Sequence, residues 1–159
     1  MKRLFPLLLC ITMLLSFPGC VGKDETTYTF YYLRTAETIR YGDADALVAP
    51  VTREISGENP GLSYLLQRYL DGPVEEGYLS PIPKGTYLLS TLWADGTLVL
   101  VLSREFSTAQ GISLTLCGAC LAATCYDLAG AEQIEVYSGE EVYQFNLSDY
   151  TFIDTSTGQ

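Results

Sequence analysis

The stretch that most limits the fold lies in the middle of the chain. Tyr87–Ala94 and Thr97–Leu102 flank the dipeptide Asp95-Gly96. An Asp-Gly pair between two such runs is the chemistry of a type I′ hairpin, because both turn positions need φ > 0. The second arm, Leu98-Val99-Leu100-Val101-Leu102, is apolar at every position. A strand that is apolar on both faces belongs inside a sheet, so other strands must flank it.

The remaining elements follow from periodicity and punctuation. Tyr28–Leu33 is aromatic and β-branched and reads as a first strand; Ala46–Ile55 reads as a second, with Pro50 placing it at an edge or a bulge and Tyr41–Asp45 as the turn between. Asn59-Pro60 predicts a helix start, since Asn caps well and Pro is tolerated at the first helical position. Leu62, Leu65, Leu66, Tyr69 and Leu70 then share one face, and Gly72-Pro73 ends the helix. Pro81-Ile82-Pro83-Lys84-Gly85-Thr86 is a stiff turn. Ser107 is a cap for a second, more buried helix reaching about Cys125, which Leu128–Ala131 breaks. Gln133–Tyr137 is a further strand, and Ser138-Gly139-Glu140-Glu141 turns into Val142–Leu147, a free edge open to strand addition.

The N-terminus is an export signal. Met1, Lys2 and Arg3 precede a 14-residue stretch, Leu4–Phe17, interrupted only by Pro6, Thr12 and Ser16. A secretory core needs roughly 7–15 apolar residues and a membrane span about 20, so this segment is a signal peptide. It ends in Ser16-Phe17-Pro18-Gly19-Cys20. Gly19-Cys20 resembles a bacterial lipobox, although Phe17 and Pro18 depart from its usual Leu and small residue. That resemblance implies cleavage before Cys20, lipidation of Cys20 and attachment to the extracytoplasmic face of the cell membrane. The chain divides into a signal peptide (1–19), a lipidated tether (20–27), one domain (28–154) and a disordered tail (155–159).

Charge removes one class of partner. Cleavage takes away Lys2 and Arg3 and leaves 7 Lys/Arg against 19 Asp/Glu, a net charge of -12. A polyphosphate backbone repels such a surface, so nucleic acid is excluded. Flat adsorption on anionic lipid is disfavoured as well, and the membrane partner is reached through the N-terminal lipid.

Chemistry-bearing residues are few. The chain has no histidine, which removes Ser/His/Asp catalysis. Cys117-Gly118-Ala119-Cys120 is formally a C-x-x-C, with Cys125 close by. A redox pair sits at a helix N-terminus after a strand, whereas this one falls mid-helix among apolar neighbours. Buried, inert thiols are the favoured reading; a Cys117–Cys120 disulfide and an extracytoplasmic thiol-redox or thiol-dependent protein are the alternatives. Zinc would need four ligands, so no metal and no cofactor is expected. The acidic pairs Glu75-Glu76, Glu140-Glu141 and Asp43/Asp45 read as solvated loop charges.

From Tyr28 to Gly139 the order of signals resembles the GerMN domain of sporulation and germination proteins. The residues that carry the resemblance are the Leu65-Leu66 helix closing in Gly72-Pro73, the Pro81–Thr86 turn, the Asp95-Gly96 hairpin, Leu102-Ser103 with Phe106, Thr124, and Val136–Gly139. It implies an α/β (α+β) fold, a small mixed sheet with two helices on one face, similar to ring-building motifs. It further implies a non-catalytic envelope assembly or binding module, with envelope or sporulation-complex proteins as partners and oligomerisation open. The three cysteines of the second helix stand where relatives carry plain aliphatic residues.

Overall fold

A computed structural model describes residues 25–37, 47–56 and 59–150. In chain order the elements are β1 (Glu25–Arg34), β2 (Val48–Ser56), helix α1 (Leu62–Leu70), β3 (Tyr78–Leu79), β4 (Leu88–Ala94), β5 (Thr97–Leu102), a 3-10 turn (Arg104–Thr108), helix α2 (Ile112–Ala129), β6 (Gln133–Ser138), β7 (Glu141–Asn146) and a last 3-10 turn (Leu147–Asp149). The α+β class and the two helices are as expected. The strands, however, divide between two sheets, one of three strands in the order β2-β1-β3 and one of four in the order β4-β5-β6-β7.

The central hairpin forms as its sequence requires. Asp95 and Gly96 take φ of 51° and 83°, and Ala94 pairs with Thr97 across the turn. β5 is an interior strand, antiparallel to β4 and parallel to β6. Its Leu98, Leu100 and Leu102 are fully buried, while Val99 and Val101 on the other face are half-buried. The second face of this sheet is thus less covered than an all-apolar strand suggests.

Three boundaries differ from the sequence reading, each for a local reason. β1 begins at Glu25, so the last residues of the expected tether are already strand, paired along β2 from Glu25↔Ser56 onward. Asn59 takes a left-handed φ of 49° and Gly61 occupies the cap of α1 without a side-chain bond. Ser107 is spent inside the 3-10 turn, donating to the Arg104 carbonyl at 2.8 Å, and α2 starts later, after Gly111. Gly130, at φ 70°, ends α2 in the left-handed conformation usual after a helix C-terminus.

The two sheets are joined through α2, which touches β1 and β2 on one side and β6 and β7 on the other. A helix that is apolar all round belongs in a core, and Cys117 through Cys125 are all buried. Two small residues set its position. A Cβ on Gly118 would overlap the Tyr150 hydroxyl and lie 2.5 Å from the Phe145 ring, so only glycine lets β7 approach. Thr124, fully buried, accepts the Tyr31 N–H of β1 at 2.9 Å.

Candidate functional site

The thiols of α2 are the chemistry-bearing groups that the sequence singles out. Cys117, Cys120 and Cys125 are free and buried; no Cys117–Cys120 disulfide is formed. Burial pushes the Cys117 thiol up to about 11, and those of Cys120 and Cys125 further still. The reactive species is the thiolate, and burial disfavours it at all three positions. Cys117 has a structural role instead, its Sγ donating to the Pro81 carbonyl at 2.7 Å and tying the Pro81–Thr86 turn to α2. Among the described residues no group of three or more His, Cys, Asp or Glu could hold a metal ion.

A second polar cluster was not legible in the sequence. Arg53 on β2 donates from Nε and one terminal nitrogen to both oxygens of Glu75, at 2.8 and 2.7 Å, and to the Gly72 carbonyl at 3.2 Å. Its guanidinium lies 5.4 Å from the Phe30 ring centre and 5.3 Å from that of Tyr32. Tyr32 stacks in turn on Tyr69 and donates to the Tyr69 carbonyl at 3.1 Å. The side chain of Arg53 is 14% exposed and that of Glu75 30%. Bidentate pairing holds the Glu75 carboxyl below its ordinary range. Glu75 is therefore a fastener between β2 and the segment after α1, not a free loop charge. Glu76, Glu140 and Glu141 are exposed, and Asp43 and Asp45 lie outside the described residues, as do the signal peptide, Cys20 and the tail 155–159.

Around this ion pair runs a shallow groove, with Thr27, Ile55, Arg68, Asp71 and Val74 in its walls. Val74 is 84% exposed. The other open surfaces are strand edges. β7 is an edge strand, in keeping with the expectation for Val142–Leu147, and it carries Glu141. β4, at the opposite end of the sheet, is covered in part by α1, its Leu88 N–H donating to Gln67 at 2.9 Å; it has no charged residue, and Leu89, Leu92 and Trp93 on it are about half exposed.

The family model for sporulation and spore germination, Germane, matches residues 29–143. The chain belongs to the Germane family. Its fold is that of solved GerMN domains. The first GerMN domain of the sporulation protein GerM from Bacillus subtilis overlays with a TM-score of 0.57 at 14% identity, covering 74% of this chain and 86% of that one. The tandem GerMN domains of the same protein give 0.53 at 18% identity, covering 74% of this chain and 40% of that one. This Germane chain thus spans about two-fifths of the tandem protein. No curated protein matches it.

Proposed function

We propose that this Germane chain is a non-catalytic binding or assembly module of the cell envelope, anchored by lipid on Cys20 and serving sporulation or germination. The observation that carries the reading is that the groups best suited to chemistry are engaged inside the fold, while the family is one of sporulation and spore germination. Among the described residues no strand pairs with the outer side of β7, and an exposed edge can bind an incoming strand through main-chain hydrogen bonds. Lipidation rests on Gly19-Cys20 and on the export signal before it. It fits the charge as well, since so acidic a domain would not stay at an anionic membrane surface without a covalent anchor.

Membrane fractionation tests the anchor. The native chain should sediment with membranes and Cys20→Ala should be released; native protein found free in the medium would sink the lipoprotein reading. Crosslinking in the native membrane followed by identification of co-purifying proteins tests the binding role. Recovery of the module uncrosslinked throughout sporulation and germination would count against it.

A further inference from the structure

The tether is short enough to decide which side of the domain faces the bilayer. Only four residues, 21–24, separate Cys20 from Glu25, the first residue of β1. Fully extended, the five steps from Cys20 to Glu25 span at most about 18 Å. A compact domain of this size has a radius of gyration of roughly 14 Å and so a diameter of roughly 35 Å. The tether is about half that, and the domain cannot turn its far side to the lipid. The surface near the start of β1 is the part within reach.

That surface is the groove around Arg53 and Glu75. Thr27 in its wall is two residues along β1 from Glu25, and the register places Arg53 opposite Tyr28 and Ile55 opposite Thr26. α1 ends at the groove, with Asp71 and Gly72 just past its last residue in the groove wall and the Gly72 carbonyl accepting from Arg53. β4 runs alongside α1: its Leu88 N–H donates to Gln67 toward the C-terminal end of the helix at 2.9 Å, and its Thr91 bonds Ser63 near the N-terminal end at 3.1 Å. Trp93, two residues past Thr91, therefore lies toward the end of α1 away from the groove.

We propose that the groove end, with Val74 and Ile55 at its rim, is the bilayer-facing surface of the anchored protein, and that Trp93 on β4 stands clear of the membrane. The inference rests on Cys20 as the point of attachment. The occupant of the groove side is the lipid bilayer itself. Attachment is by length alone, because Glu54, Asp71 and Glu75 on this side give no electrostatic pull toward anionic headgroups.

The test needs no cellular lipidation. The full mature chain, from Cys20 to Gln159, is coupled through Cys20 to a maleimide lipid in phosphatidylcholine vesicles that carry a nitroxide on a fraction of their headgroups. Cys117, Cys120 and Cys125 are buried and do not compete. Trp93 is the chain's single tryptophan, so the native protein reports the β4 edge, and a Trp93→Phe, Val74→Trp double variant reports the groove. The double variant should lose most of its emission relative to nitroxide-free vesicles, and the native protein should keep most of its own. Equal loss at the two positions, or greater loss at Trp93, would overturn the orientation. Inserting ten Gly/Ser residues after Val21 should erase the difference; its survival would show adhesion rather than tether length and would overturn the mechanism. If Cys20→Ala leaves fractionation in cells unchanged while the vesicle result holds, the lipoprotein reading fails and the geometry stands.

Discussion

Helix α1 hides Leu65, Leu66, Tyr69 and Leu70 and shows its remaining side to solvent, whereas α2 hides nine consecutive residues from Cys117 to Cys125. The first is placed by a stripe: one apolar face, one direction to turn it. The second has no such stripe, since burial on all sides says nothing about which neighbour lies where. Its position comes from the two residues that break the apolar pattern by size or polarity. Gly118 admits the Phe145 ring and Tyr150, and Thr124 receives the Tyr31 N–H of β1. In a helical segment buried on all sides the exceptions carry the directional information.

The comparison breaks first at the core. Leu121→Ala, at a fully buried α2 site, should cost about 2–5 kcal/mol in urea-melt stability. Tyr64→Ala, on the exposed side of α1, should stay within about 0.5 kcal/mol; similar losses at both would show that the helices are not differently embedded. Next is Gly118→Ala. On an exposed helix that change gains about 1 kcal/mol in propensity; here the overlap with Phe145 and Tyr150 should reverse the sign, for a net loss of about 1–3 kcal/mol. A stabilised variant would show that β7 can retreat at little cost.

A smaller, pH-dependent effect belongs to the end of α1. The folded chain keeps Glu75 ionised to a lower pH than the unfolded chain does. The stability from the Arg53 pair is therefore present above the ordinary carboxylate range and is lost as pH falls through the lower folded value. Glu75→Gln should flatten that part of the pH profile of the denaturation midpoint, and an unchanged slope would assign it to other carboxylates. The smallest effect concerns Tyr69, whose buried hydroxyl has no hydrogen-bond partner. Tyr69→Phe removes a group that folding desolvates without return, and stability should hold or rise by up to about 1 kcal/mol. Thiol titration of the native mature chain should, in the same vein, register Cys20 quickly and the three α2 cysteines only in denaturant, because burial keeps those thiols protonated.

What was legible in the sequence was local. The Asp95-Gly96 turn, the α1 stripe and the mid-helix burial of Cys117, Cys120 and Cys125 rest on residue chemistry within a few positions of one another. What was not legible depends on contacts across the chain. Glu75 looks like any loop carboxylate until β2 brings Arg53 to it from 22 positions away. The division into two sheets is likewise invisible, since nothing in β1 or β2 announces that their partners exclude β4 to β7. Asn59 and Ser107 misled for a different reason: each has the chemistry of a cap, but Asn59 takes a left-handed φ ahead of α1 and Ser107 is used inside the 3-10 turn ahead of α2. Cys20, the residue with the clearest expected modification, lies outside the described residues and rests on the sequence alone.

The parallel pairing of β5 with β6 has a kinetic consequence. β4–β5 and β6–β7 are hairpins that can close from nearby residues, but their union must wait for the 30 residues of 103–132, α2 included, to cross from one to the other. Joining such distant segments before any contact compensates the lost chain entropy is slow. A chain that crosses the membrane unfolded would thus emerge with two preformed hairpins and an apolar helix between them, and the docking of that helix would set how long its edges lie open to the wrong neighbour.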